Sequence, residues 1–183
     1  LSVPGAHNIY NALAAFAAAD VCGLDAGRVA RGLSAFTGAR RRMEYKGKFC
    51  GAEVYDDYGH HPTEVRATLK AMRGVGSGRL FCVFQSHTYS RTAKLFDDFA
   101  EALTHADRAV VADIYAARET DDLGVSGAKL AAAVNGRGGS AVYGGSTENI
   151  AKLLAGELRA GDTLVVMGAG DIYKLFPLIG LSE

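Results

Sequence analysis

Two hydrophobic patterns succeed one another along the chain. From Asn8 to about Cys22 the sequence is alanine-rich, with apolar Leu13, Ala14, Phe16 and Ala17 at helical spacing, and Gly23 stops the run. Asp25 can cap a second helix reaching about Leu33, so this segment is expected to form an αα-hairpin. After a basic linker the pattern changes. Lys48 to Asp56 alternates around a turn at Gly51, Thr63 to Arg73 reads as helix, and 74–78 as loop. Leu80 to Phe84 is an unbroken apolar run, the mark of a strand buried on both faces of a parallel sheet. Lys94 to Thr104 is amphipathic, with Leu95, Phe99 and Leu103 on one stripe. Strands are expected at Arg108 to Ile114, Ala141 to Tyr143 and Thr163 to Met167. Helices run from Ser126 to about Val134 and from Thr147 to Leu158, and Gly168 to Ile172 turns into a last helix. This alternation specifies an α/β fold with a parallel sheet and right-handed crossovers.

Composition narrows the class. The 183 residues suffice for a substantial core, and 49% hydrophobic with 22% charged residues is ordinary for a soluble globular protein. A formal net charge of +0 argues against a nucleic-acid binder or a membrane-surface protein, so an anionic ligand must be met by a local basic cluster. Cys22, Cys50 and Cys82 are widely spaced in or beside apolar runs, which predicts reduced core thiols in a cytoplasmic protein. No apolar stretch approaches the ~18 residues of a membrane span, and no export signal opens the chain. The first residue is not Met, which suggests a piece of a longer protein.

Candidate chemistry concentrates from Val54 to Glu64, which reads as a strand end, a polar loop and the start of a helix at Pro62. Loops at the carboxyl ends of strands are where open α/β sheets bind ligands, although a solvated turn with a capped helix has the same spacing. Asp56 and Asp57 suit ribose hydroxyls, a cation or a proton; His60, His61 and His87 suit anionic oxygens or acid-base work. Adjacent His60 and His61 point their rings apart, which disfavours a dedicated metal site. Gln85 to Thr92 places more polar groups at a strand end, with Arg91 suited to clamping a carboxylate or phosphate. Arg40, Arg41 and Arg42 form either a solvated basic run or a source of forked phosphate contacts beside Gly38. Asn8 and Asn11 lie three apart, so both amides face one side of their helix; capping accounts for Asn8 better than for Asn11. Gly168-Ala169-Gly170 is a weak dinucleotide signature and reads better as a tight helix entry.

Six ordered motifs carry a resemblance. Pro4-Gly5-Ala6-His7-Asn8-x-x-Asn11, Phe36-x-Gly38-x-x-Arg41-Arg42-x-Glu44 and Asp56-Asp57-Tyr58-Gly59-His60-His61-Pro62-Thr63-Glu64 are followed by three more. These are Phe84-Gln85-x-His87-Thr88-Tyr89-Ser90-Arg91-Thr92, Asp113-Ile114-Tyr115-Ala116-Ala117-Arg118-Glu119 and Met167-Gly168-Ala169-Gly170-Asp171-Ile172. Together they resemble the Mur ligase family, which builds the peptidoglycan stem peptide. The resemblance implies a Rossmann-like, mostly parallel twisted sheet with helices on both faces, preceded by a short helical segment. Residues 1–43 would be the terminal helices of a central ATPase domain plus linker, and 44–183 the C-terminal domain. Exposed apolar faces of those helices could drive dimerisation.

The implied activity is an ATP-dependent addition of L-alanine to UDP-N-acetylmuramate through an acyl phosphate. A tripeptide-recycling member of the family and a stand-alone nucleotide- or phosphosugar-binding module are the alternatives. By resemblance, Asn8 and Asn11 would hold the adenine end of ATP, Arg42 would approach the phosphates, and Asp57 rather than Asp56 would hold the ribose. Tyr58, His60, His87, Thr88 and Arg91 would line the meeting place of the amino acid and acyl intermediate, with Asp57, His60 and Arg42 as the catalytic set. Ser86 and Thr88 depart from the family pattern, which puts a two-arginine clamp in doubt. The phosphate-binding loop and the Mg2+ ligands are not in this chain, so the chain alone is expected to be inactive.

Overall fold

The computed structural model describes Val3 and residues 5–182; Pro4 of the first motif lies outside them. Two helices, α1 (Ala6–Val21) and α2 (Ala26–Ala35), come first. Asp25 caps α2 by accepting from the Arg28 N–H, as its position predicts. Gly5, not Asn8, is the N-cap of α1, so Asn8 sits inside the first turn, where its Oδ1 accepts from Asn11 Nδ2 at 3.3 Å. None of the residues of α1 is buried, and Ile9, Tyr10 and Leu13 are 56%, 72% and 60% exposed.

The linker leads into a hairpin of β1 (Glu44–Phe49) and β2 (Ala52–Asp57), joined by Cys50 and Gly51. Both turn residues have positive φ, 50° and 81°, which fits the right-handed twist of a two-residue hairpin. Then follow α3 (Pro62–Met72), β3 (Leu80–Phe84), α4 (Tyr89–Lys94), α5 (Phe96–Leu103), β4 (Arg108–Ala112), α6 (Gly127–Gly136), β5 (Ala141–Gly145), α7 (Thr147–Glu157), β6 (Thr163–Met167), a 3-10 turn (Ile172–Lys174) and α8 (Leu175–Leu178). The six strands lie in the order β1-β2-β6-β3-β4-β5, all parallel except the β1–β2 pair.

Helices cover both faces. On one, Val65 and Leu69 of α3, Phe99 and Leu103 of α5 and Leu130 and Val134 of α6 pack on Cys82, Phe84, Val111 and Val165. On the other, Ile150 and Leu154 of α7 and Leu175 and Phe176 of α8 pack on Phe81, Val83, Val110 and Val166. Neighbouring residues of β3 thus serve opposite cores, which is why the run had to be apolar throughout.

Two expectations need correction. The stretch expected as loop then one helix, Gln85 to Thr104, holds two helices. Thr88 starts α4, and Leu95 (φ −115°, ψ 21°) breaks it from α5, allowing Phe99 and Leu103 to reach the core while α4 stays at the strand ends. The cysteines are not all core thiols: Cys82 is buried, whereas Cys22 and Cys50 are exposed because they occupy a helix end and a hairpin turn. Among the described residues no helix is long and apolar enough to cross a membrane.

Candidate nucleotide and acceptor site

The carboxyl ends of β2, β6, β3 and β4 lie side by side. Three loops share that edge as their strand positions predict, and the β6 turn inserts between the first two. Pro62 opens α3 behind a capping box: Thr63 N–H donates to His61 Nδ1 (3.3 Å), and Glu64 Oε2 accepts from the N–H groups of His60 (2.9 Å) and His61 (3.1 Å). His61 therefore serves the helix start. His60 has Nδ1 3.1 Å from the Tyr58 carbonyl and 3.7 Å from Glu64 Oε2, with its ring edge-on to Tyr58.

Asp57 is buried, 3% exposed, with Oδ2 accepting from Met43 N–H (3.0 Å) and Oδ1 from Gly59 N–H (2.8 Å). Burial pushes its carboxyl up, and the Gly59 and Met43 N–H groups work against that. It joins Asn8, Asn11, Arg42, His7 and Phe36 in the lining of a cavity of about 780 Å³ between the helical hairpin, the linker and α3. The four residues assigned by resemblance to the nucleotide are thus brought to one space. Arg42 is half-exposed there, loosely paired with Glu64 at 3.4 Å.

Sequence reasoning did not single out Arg41, which is the arginine that turns inward. With φ 55°, it donates from Nε to Asp56 Oδ2 (3.2 Å) and from Nη2 to the Gly168 carbonyl (2.7 Å), and lies over the Tyr58 ring at 4.7 Å. Its carbonyl accepts from Tyr58 N–H at 2.7 Å. Three consecutive arginines give no periodic signal for which one faces the sheet. Asp56 is 2% exposed; burial raises its carboxyl and Arg41 opposes this. Asp56 turns Oδ2 to the linker, and Asp57, not Asp56, lines the cavity.

On the β3 side, Thr88 holds φ 69°, a conformation costly for a β-branched residue, and its hydroxyl accepts weakly from Arg91 N–H at 3.4 Å. Its hydroxyl is occupied in capping α4. The His87 ring stacks on Tyr115 with centroids 5.4 Å apart. Burial lowers the His87 pKa, and the nearby charges of Arg91 and His60 lower it further, so these three groups share one field. Ser86 Oγ is 2.6 Å from Thr92 Oγ1 and serves the same turn. The Gly168-Ala169-Gly170 turn is a packing device: a Cβ on Gly168 (φ 153°) would stand 2.7 Å from the Gln85 carbonyl, and one on Gly170 2.5 Å from Gln85 Oε1. Gln85 itself links Asp171 (2.9 Å) to Ile172 N–H (3.0 Å) and locks the β6 turn to β3.

Among the described residues no group of three or more His, Cys, Asp or Glu side chains is placed to hold a metal ion. Both Asp57 oxygens accept backbone N–H bonds, and Asp56 pairs with Arg41 through Oδ2. The residues present do not fit the Mg2+ that the resemblance implies.

A mostly parallel sheet covered on both faces, with a cavity at its carboxyl edge bordered by a helical hairpin, defines an α/β domain of the Rossmann type. The chain belongs to the Mur ligase family: the model of the Mur ligase, glutamate ligase domain, matches residues 41–170. It is 51% identical over 175 residues to the UDP-N-acetylmuramate--L-alanine ligase of Lachnospira eligens and 49% identical to that of Clostridium novyi, covering 96% of this chain and 38% of each relative. The chain therefore spans well under half the length of the curated relatives it matches. Its fold overlays the UDP-N-acetylmuramate-alanine ligase of Thermotoga maritima with a TM-score of 0.76 at 28% identity, covering 94% of this chain and 36% of that one. A murein peptide ligase of Psychrobacter arcticus gives 0.72 at 28% identity, covering 97% and 37%.

Proposed function

We propose that this chain is the C-terminal part of an ATP-dependent ligase joining L-alanine to UDP-N-acetylmuramate in the cytoplasm. The observation that carries this reading is that Asn8, Asn11, Arg42 and Asp57 line one cavity. Residues 1–43 then belong with a central ATPase domain, and the uncovered apolar face of α1 is where the remainder of that domain would pack. In isolation the same face makes self-association the expected behaviour.

In this reaction ATP transfers its terminal phosphoryl group to the muramate carboxylate, leaving ADP and an acyl phosphate. The alanine amine attacks the acyl carbon, the tetrahedral intermediate expels phosphate, the nitrogen loses its proton, and an amide remains. Asn8 and Asn11 suit the adenine edge, Asp57 the ribose and Arg42 the phosphates. Tyr58, His60, His87, Thr88 and Arg91 suit the acceptor side. There Arg91 holds the alanine carboxylate, so that its amine is free and oriented. His87, whose pKa burial and the charges of Arg91 and His60 hold down, lines this side as an uncharged hydrogen-bonding group. No residue described here serves the metal; its ligands are assigned to the part of the enzyme that this chain does not include.

The test is phosphate release by the full-length protein that carries this chain, which should require ATP, UDP-N-acetylmuramate and L-alanine together. Turnover with murein tripeptide but not L-alanine would move the assignment to the recycling reaction. Tight ATP binding by the 183-residue chain alone would favour a stand-alone binding module.

A further inference from the structure

The loop from Asp113 to Glu119 after β4 has no role in the reaction as assigned, yet it is laced to the loop that carries His87 and Arg91. Tyr115 N–H donates to the Ser86 carbonyl (2.9 Å), Thr88 N–H donates to the Tyr115 carbonyl (2.8 Å), and His87 and Tyr115 form a parallel bridge. Glu119 ends this lacing: Oε2 accepts from Ser90 N–H at 2.9 Å, and Oε1 accepts from the Ser90 hydroxyl.

Ser90 lies in the first turn of α4, one residue before Arg91. That turn needs an outside anchor. Its own cap, Thr88, sits at φ 69° and reaches Arg91 N–H only at 3.4 Å. A helix of six residues has little stability of its own. The Ser90 hydroxyl and amide hold the Glu119 carboxyl below the usual carboxylate range, so the anchor is ionised at neutral pH.

We propose that Glu119 is a positioning residue that fixes the first turn of α4 and thereby aims Arg91 at the carboxylate of the amino-acid acceptor. This rests on the reading of Arg91 given above. Glu119 acts through the first turn of α4, chiefly through Ser90 and also toward the Tyr89 N–H and the Thr88 hydroxyl. It therefore governs acceptor binding rather than ATP use, and its hydrogen bonds matter more than its charge.

Two measurements test it. In the 183-residue chain, Glu119→Ala should speed amide hydrogen exchange at Ser90, Arg91 and Thr92 by about ten-fold, whereas Glu119→Gln, whose amide can still bond both Ser90 groups, should stay within about two-fold. In the full-length ligase, Glu119→Ala should raise KM for L-alanine about ten-fold with KM for ATP unchanged, and Glu119→Gln should restore it. Unchanged exchange would overturn the proposal. So would equal alanine defects in the two variants, which would mean that the charge touches the acceptor directly, or a normal alanine KM in Glu119→Ala. If the wild-type protein does not use L-alanine at all, the proposed function fails instead, and the exchange measurement still decides whether Glu119 anchors α4.

Discussion

The two ends of the sheet are built on different principles. At the amino ends of the strands, charges are matched. Asp162, before β6, accepts from Arg79 N–H (3.1 Å), Nε (3.2 Å) and Nη2 (2.7 Å) and from Arg159 N–H (2.9 Å), and Arg108 forms a two-pronged pair with Glu157 at 2.9 and 2.8 Å. At the carboxyl ends, Asp56 Oδ1 and His87 Nδ1 are buried with no hydrogen-bond partner among the described residues, and Arg41, Thr88 and Ala117 all hold positive φ. One end secures the fold. The other leaves buried polar atoms unpaired and holds strained backbone.

The largest effect should come from the one arginine that secures the site end. Arg41→Met keeps most of the volume but leaves the Asp56 carboxylate buried and unpaired. It should cost about 3 kcal/mol in urea unfolding, with a substantial part recovered by adding Asp56→Asn. A cost under about 1 kcal/mol would mean that the site end does not depend on this pair.

At the opposite end, Asp162→Asn should cost about 2 kcal/mol at neutral pH while leaving ligase kinetics unchanged. Burial pushes the Asp162 carboxyl up, but Arg79 and the backbone N–H groups outweigh it and hold it below the ordinary value. Its stabilising contribution is therefore complete above about pH 4 and lost as pH falls through the lower folded value. Asp56 and Asp57 are raised on folding, so their contribution runs the other way: it is present below the ordinary carboxylate pKa and lost as pH rises through the folded values. Unfolding midpoints across the acid range should thus bring wild type and Asp162→Asn together as pH falls. A constant gap would break the contrast.

Smaller is Arg91→Ala, expected to raise KM for L-alanine about ten-fold, equivalent to about 1.4 kcal/mol, with ATP use normal. An unchanged alanine KM removes Arg91 from the acceptor side. Smallest is Thr88→Gly, which relieves the positive φ and loses a weak cap and a 3.3 Å contact with the Ser90 hydroxyl. It should stabilise the chain by about 1 kcal/mol and weaken alanine binding. Destabilisation instead would show that the Thr88 turn is not strained.

Much of the fold was legible in local pattern. Thr163 to Met167 was read to the residue, because a run buried on both faces has no polar interruption. The break at Leu95 was not legible, since its spacing to Phe99 and Leu103 suits one continuous helix and only the packing of α5 on α3 and α6 shows why it bends. Asn8, Asn11, Arg42 and Asp57 carried motif-based assignments and line one cavity, whereas Arg41 and Gln85 were not given roles. Their functions depend on Gly168 and Asp171, more than 80 residues away, which β6 brings between β2 and β3.

By itself, then, the sequence determined most of the strands and helices, the caps at Asp25 and Ser126, and which family's motifs they carry, because these follow from short-range periodicity and residue chemistry. Tertiary structure alone decided which arginine turns inward, that Gln85 ties the β6 turn to β3, and that Glu119 reaches across to Ser90. These are pairings between residues far apart in the chain, and only the crossover order of a parallel sheet fixes which strand ends become neighbours.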